Sequence, residues 1–276
     1  MIPGLEYAFF QNALLAGILA SIACGIIGSY VVVRRMVSMS GGISHAAFGG
    51  IGLGYYLGVD PILGALGFTV VTALAIGVLQ MRAREQLDTL IGAVWAAGMA
   101  IGILLVYLTP GFAPDLFSYL FGNILLVPRS SLYLMAVLVI FIIMFVGLFY
   151  TPLLAITFDE EYAEIMNLPV ERLSLLLLTL IAFTVVMLIQ VVGIILVIAL
   201  LTLPAAISRM CTARLGPMML LAIGLGALFC TGGILLSSFL DVPSGATIIL
   251  FATAVYASFL VGRYLRTWQL PGKNHS

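Results

Sequence analysis

The sequence VVVRRMVSMSGGISHAAFGGIGLGYYLG, from Val31 to Gly58, places an arginine pair directly before a glycine-rich segment. The pair, Arg34 and Arg35, follows an apolar run that is long enough to cross a bilayer. The segment after it holds seven glycines and one histidine, His45. An ionisable side chain at membrane depth is energetically costly and marks a functional site by default. His45 is therefore the first candidate for a functional residue.

The composition of the whole chain is that of a membrane protein. Of 276 residues, 63% are hydrophobic and 8% are charged, and the charges lie in clusters between long neutral runs. These runs are continuously apolar, whereas the strands of a membrane β-barrel alternate in polarity. The sequence therefore predicts an all-α polytopic membrane protein. The net charge is zero, so no basic surface indicates nucleic acid.

The spacing of the charge clusters predicts nine membrane spans. Two regions leave eight as an alternative: the short second span, residues 43–58, and the uncharged run 173–208, which we divide near residues 190–193. Arg34 and Arg35 mark the cytoplasmic side by the positive-inside rule, so nine spans place the N-terminus outside. Eight spans would change that side.

Two further segments have their own interpretation. The glycines of the second span suit either close helix packing or a broken or tilted helix that lines a cavity. Residues 117–127 are too few to cross a bilayer, and we interpret them as a re-entrant or interfacial segment.

A short amphipathic helix is predicted in the cytoplasm at residues 157–167. Thr157 and Glu160 have the spacing of a capping box, and Asn167 and Pro169 provide the stop. Four apolar residues fall on one helical stripe: Phe158, Tyr162, Ile165 and Met166. Helices that lie on lipid usually carry lysine and arginine, whereas this one is acidic. The pattern favours a protein partner over a lipid surface.

Motifs for enzymatic chemistry are missing from the sequence. A P-loop requires a lysine, and Lys273 near the C-terminus is the only one in the chain. HExxH and GxSxG motifs and paired intramembrane carboxylates do not occur. Ser44 and His45 are adjacent, so they diverge on a helix and do not form a nucleophile and base pair. An intramembrane hydrolase with a distant serine is the least favoured interpretation, and we expect no enzyme.

Five stretches resemble one protein family in the same order. The first is RRMVSMSGGISHAAFGGIGLG; the others are YLFGNILLV, FDEEYAEIMNLPVERL, VGIILVIALLTLPAA and LSSFLDVPSGATIIL. Together they resemble the permease subunits of bacterial ABC importers for zinc, manganese or iron, the ABC-3 family. The resemblance covers nearly the whole chain.

The resemblance implies an architecture and a set of partners. Residues 1–276 would form one transmembrane permease domain of the type II fold shared with cobalamin and siderophore importers, located as a multi-pass protein in the bacterial cytoplasmic membrane. The permease would be a homodimer that receives metal from an extracytoplasmic binding protein. Two separate ATPase subunits would bind ATP and drive alternating access. The divalent metal would be cargo, and no cofactor would be bound permanently.

The resemblance also implies roles for particular residues. His45 would contact the metal, and a homodimer would supply it twice. Many members carry an aspartate four residues before this histidine, where this chain has Gly41. The alternative for His45 is a hydrogen bond to a backbone carbonyl, without metal. ATPase coupling would involve Thr157, Phe158, Asp159, Glu160, Glu161, Tyr162, Glu164 and Ile165.

Two acidic residues, Asp115 and Asp241, fall in predicted outer loops. Their positions suggest contacts with the binding protein.

An ATP-independent channel or secondary carrier is the alternative function. Such a carrier normally uses intramembrane Asp, Glu or Arg for ion coupling. This chain offers His45 alone at that depth, which counts against the carrier.

Overall fold

The computed structural model describes residues 7–82, 87–110 and 117–268, which form an all-α bundle as predicted. The helices of these residues, in chain order, are α1 (Ala8–Val33), α2 (Val37–Leu57), α3 (Pro61–Arg82), α4 (Leu87–Leu108), α5 (Phe117–Phe121), α6 (Arg129–Leu148), α7 (Tyr150–Phe158), α8 (Glu160–Ile165), α9 (Val170–Val192), α10 (Ile194–Cys211), α11 (Leu215–Leu240) and α12 (Ser244–Trp268).

Helix α2 differs from the other long helices in composition and position. Among the described residues, eight helices are long and apolar enough to cross a membrane. Helix α2 has 21 residues but is rich in glycine and serine, and every residue from Met39 to Gly52 is buried. It packs between α3, α4 and α9, so it faces protein and needs little apolar surface of its own. Counting α2 gives nine spans, within the predicted eight or nine.

The structure tests one interpretation of the second span. Helix α2 is continuous from Val37 to Leu57, so a broken helix is wrong, whereas a tilted helix stays a prediction. Its glycines serve close packing instead. A Cβ added to Gly50 would lie 2.6 Å from the Ala65 Cα, and one added to Gly54 would lie 2.6 Å from the Pro61 Cα. Only glycine permits such approaches between helix backbones.

A second close approach joins the segment after α4 to the junction of α9 and α10. Gly193 separates these two helices with a φ of 82°, as the predicted division of the uncharged run requires. The backbone of Gly122, with a φ of 64°, lies directly against Val192 and Gly193. Gly122 belongs to a segment made of α5 and a 3-10 turn, Ile124–Leu126. This segment does not cross the bundle, as predicted.

The described arginines are divided unequally between the two ends of the bundle. The end formed by the α1–α2 turn, α7, α8 and the α10–α11 turn carries most of the described arginines, including Arg34, Arg172 and Arg209. Arg209 donates to the Val32 carbonyl at 2.7 Å, which joins the end of α10 to the end of α1. By the positive-inside rule, this is the predicted cytoplasmic end. We call it the inner end.

The predicted cytoplasmic helix begins at a different residue from the one expected. Thr157 belongs to α7, where its hydroxyl donates to the Leu153 carbonyl at 2.5 Å. Asp159 caps α8 instead, and its carboxylate accepts a hydrogen bond from the Tyr162 N–H at 2.9 Å. The Thr157 capping box is therefore wrong, because that hydroxyl already has a partner within its own helix. The stop is correct, since Asn167 has a left-handed φ of 57°.

Candidate functional site

Helices α2 and α4 approach each other closely along glycines. A Cβ built on Gly98 would lie 2.7 Å from the Ala46 Cα, and one built on Gly49 would lie 2.9 Å from the Gly98 carbonyl. One turn further along, a Cβ built on Gly52 would lie 2.7 Å from the Gly102 Cα. Because no side chain separates the backbones, the residues that flank these glycines are held in contact.

His45 lies on α2 directly beside this contact and stacks on Trp95 of α4. The two ring centroids are 4.1 Å apart and the planes differ by 11°. His45 is 9% exposed, and its Nδ1 is buried without a hydrogen-bond partner in the described part of the chain. The alternative in which His45 bonds a backbone carbonyl is not supported by this geometry. Because Nδ1 is buried, the other ring nitrogen, Nε2, is the position left for a metal ion.

The space into which a side chain at position 41 would project is empty. A Cβ added there meets nothing within 4 Å, unlike the Cβ positions of most other glycines of α2. Gly41 precedes His45 by four residues, so both lie on one face of the helix. Among the described residues, no group of three His, Cys, Asp or Glu side chains is placed to hold a metal. One described chain therefore supplies a single imidazole and free space beside it.

The outer end of α2 is fixed by a pair of tyrosines. The hydroxyls of Tyr55 and Tyr119 are hydrogen-bonded at 2.9 Å. Tyr119 belongs to α5, so this bond joins α2 to the segment that packs on the α9–α10 junction. Helix α2 is therefore attached to a non-spanning element at the end opposite to Arg34.

The inner end of α2 is fixed by an ion pair with α8. Arg34 donates to the Glu160 carboxylate and, at 3.1 Å, to the Ser174 hydroxyl of α9. The Arg34 side chain is 9% exposed and that of Glu160 is 48% exposed. Burial lowers the pKa of the Arg34 guanidinium, while the charge and hydrogen bond of Glu160 act in the opposite direction. A 390 Å³ cleft adjoins the pair, and Glu164 and Glu171 also line it.

The outward surface of α8 is apolar and acidic. Four large apolar side chains around it are more than half exposed: Phe158, Tyr162, Ile165 and Met166. Asp159, Glu161 and Glu164 are exposed beside them. Thr157, the first residue of the predicted coupling set, is buried and is not part of this exposed surface. The other residues of the set are exposed at the inner end.

Of the two predicted docking residues, Asp241 belongs to the described part of the chain and Asp115 does not. Asp241 ends α11 at the outer end, is exposed and has a left-handed φ of 54°. Asp115 lies outside the described residues.

A match to a family model along most of the chain identifies its family. The family model described as "ABC 3 transport family" matches residues 6–262. The chain belongs to the ABC 3 transport family. The resemblance stated from the sequence motifs is thereby confirmed, and so is the prediction of a multi-pass membrane protein.

Several ABC 3 relatives cover nearly the same length. An uncharacterized membrane protein of Synechocystis is 51% identical over 263 residues, which are 95% of this chain and 94% of the relative. The manganese transport system membrane protein MntC of Halalkalibacterium halodurans is 39% identical over 253 residues, 92% of this chain and 87% of the relative.

One solved structure shares the fold of this ABC 3 chain. The structure of PsaBC from Streptococcus pneumoniae in complex with Fab matches with a TM-score of 0.83 and 31% identity. The match covers 92% of this chain and 91% of the other. The predicted importer permease fold is confirmed by this agreement.

Sequence reasoning missed three contacts of the site. It did not find Trp95, the Arg34–Glu160 pair or the Tyr55–Tyr119 bond. Trp95 carried one signal, since it is a single large aromatic residue among small ones in AVWAAG. Nothing in the sequence pairs it with His45, because the two lie on different helices.

Proposed function

We propose that this chain is the permease subunit of an ATP-driven importer for a divalent transition metal, with zinc, manganese and iron as the candidate cargoes. Membership of the ABC 3 transport family supports the transport function. Relatives named as manganese transport system membrane proteins support a metal cargo. ATP would be bound and hydrolysed by separate subunits, since the sequence carries no P-loop lysine.

Helix α8 is the proposed contact with the ATPase. Its apolar stripe is exposed at the inner end, next to carboxylates that a basic groove would attract. The contact residues would be Phe158, Asp159, Glu160, Glu161, Tyr162, Glu164 and Ile165. An exposed apolar patch with charged residues at its rim is typical of a contact with another protein.

His45 is the proposed contact with the metal. Imidazole is a ligand that suits zinc, iron and other borderline divalent ions, and the Nε2 of His45 would bind the metal, since Nδ1 is buried. A second copy of the chain in a homodimer would supply a second imidazole, and water or backbone carbonyls would complete the coordination. Such a site binds weakly enough to release its cargo, whereas a closed four-ligand cage would retain it.

The outer end is the proposed docking surface for an extracytoplasmic metal-binding protein. Asp241 supports this surface because its carboxylate is exposed there. Asp115 is proposed as a second contact from its place in the sequence alone. Reversing both charges should weaken docking, whereas unchanged docking would contradict the assignment.

An ATP-independent carrier is less favoured by the site. Ion-coupled carriers use ionisable groups inside the membrane. At the depth of His45, neighbours in the described part of the chain such as Ser44, Trp95 and Gly98 carry no charge.

Uptake into proteoliposomes tests the function. The chain, reconstituted with its co-purifying ATPase and binding protein, should take up radiolabelled zinc, manganese or iron only with hydrolysable ATP. His45→Ala should abolish uptake of the preferred metal while basal ATP hydrolysis continues. Uptake that proceeds without ATP or ATPase would support the carrier instead.

A further inference from the structure

The stacking of His45 on Trp95 indicates a role for the tryptophan. We propose that Trp95 is a positioning residue, which fixes the plane of the His45 imidazole for metal binding. The inference rests on the proposed function, because it takes His45 as a contact of the transported metal.

Within the described part of the chain, one ring nitrogen of His45 has no hydrogen bond. A metal-binding histidine usually donates its second ring nitrogen to a carbonyl or carboxylate, and this bond fixes the orientation of the ring. In the described part of the chain, the Nδ1 of His45 is buried and has no such partner. The imidazole therefore needs another restraint. The parallel indole of Trp95, at 4.1 Å between ring centroids, provides one.

The close contact between α2 and α4 holds the two rings together. Gly98 lies three residues after Trp95, and its position is so close to the Ala46 Cα that a Cβ there would be 2.7 Å away. Ala46 follows His45 directly. The same backbone contact therefore sets both rings at a fixed separation. Any larger residue at position 98 would part the helices and the rings with them.

The indole of Trp95 covers a face of the imidazole and not its edge, where a metal ion binds. A metal binds an imidazole nitrogen in the plane of the ring, whereas Trp95 covers one face of that ring. The indole and the metal therefore do not compete for the same space. The negative face of an indole beside a cation adds a favourable electrostatic contribution. Trp95 is 42% exposed, so the indole is not enclosed by the core of one chain.

The tryptophan content of the chain makes the site observable. The sequence contains two tryptophans, Trp95 and Trp268. In a Trp268→Phe background, Trp95 is the sole indole fluorophore. We expect Co²⁺, a paramagnetic imidazole-binding ion, to quench its fluorescence, and His45→Ala to remove most of that quenching. This titration establishes whether the metal binds beside the stack.

Substitutions of Trp95 then test the positioning role. We expect Trp95→Leu, which keeps apolar bulk but lacks a flat ring, to weaken Co²⁺ binding about tenfold, the lower range for residues that orient a metal ligand. Trp95→Phe keeps a flat ring and should restore most of the affinity. Tyr107→Ala, on the same helix and 85% exposed, is the matched control and should bind as the native chain does. Equilibrium binding of radiolabelled Co²⁺ measures each variant, and thermal denaturation verifies that each is folded.

The outcomes separate this inference from the proposed function. Native affinity in Trp95→Leu overturns the positioning role and leaves the importer intact. Equal losses in Trp95→Leu and Trp95→Phe also overturn it, because a flat ring then has no effect. Quenching that is unchanged by His45→Ala, or a native chain that binds no Co²⁺, counts instead against the metal contact at His45.

Discussion

The guanidinium of Arg34 and the carboxylate of Glu160 form an ion pair across 126 residues of sequence. Arg34 stands in the turn directly before α2, and Glu160 begins α8. The pair therefore joins the proposed ATPase contact to the helix that carries His45. A displacement of α8 would be transmitted to α2 through this ion pair. The Ser174 hydroxyl of α9 accepts a hydrogen bond from the same guanidinium.

The pair gives a first prediction, on coupling. We expect Glu160→Gln to lower the free energy of unfolding by only about 1 kcal/mol, because the carboxylate is half exposed. The same change should reduce metal uptake per ATP hydrolysed, since Arg34 loses its charged partner. Uptake and ATP hydrolysis are measured together in proteoliposomes. Glu171→Gln removes an exposed carboxylate from the same cleft and should leave the ratio unchanged. An equal ratio in native chain and Glu160→Gln would contradict the link.

The apolar surface of α8 gives a second prediction, on assembly. Tyr162→Ala with Ile165→Ala should weaken binding of the ATPase subunits about tenfold or more, because exposed aromatic and aliphatic anchors carry most of the affinity of such contacts. Co-purification at graded ATPase concentration measures the effect. Tyr7→Ala removes a tyrosine of similar exposure at the opposite end and is the control. Unchanged assembly in the double variant would remove α8 from the interface.

The open space at Gly41 gives a third prediction, on metal preference. Gly41→Asp should fit without a clash and place a carboxylate one helical turn from His45. Carboxylate suits manganese better than imidazole does, so uptake should shift toward manganese relative to zinc. Gly41→Asn has the same shape without the charge and should not produce the shift. Uptake of the two radiolabelled metals in competition measures the ratio of manganese to zinc. An identical ratio in the native chain and both variants would contradict a role of position 41 in metal preference.

The contact between Gly122 and Gly193 gives a fourth prediction, on stability. Gly193→Ala should cost about 2 kcal/mol or more, because a Cβ is strained at a φ of 82° and would overlap the backbone of Phe121 and Gly122. Thermal denaturation in detergent should show a lower Tm. Gly147→Ala is the matched control, since a Cβ there meets nothing within 4 Å and the position is inside a regular helix. A Tm in Gly193→Ala equal to that of the control would contradict the packing explanation.

Several parts of the fold could be predicted from the sequence because they depend on local patterns. Charge clusters predict where spans end, and the break at Gly193 lies inside the predicted window. Thr157 shows the limit of such patterns, since a capping box competes with a hydrogen bond to the preceding turn, and only the structure shows that Asp159 caps α8. His45 could be found because it is ionisable at membrane depth. Trp95 could not, because its partner depends on how two helices pack.

The burial of α2 has a consequence for how the chain is made. The helix presents glycine and serine over most of its length and is enclosed on both sides by α3 and α4. Alone in lipid it would gain little from insertion, and its glycines would weaken it as a helix. We expect it to enter the bilayer together with the segments synthesised directly before and after it. Insertion of α2 would then depend on its neighbours. The helix that bears His45 would be stable in the membrane only after α3 and α4 have inserted beside it.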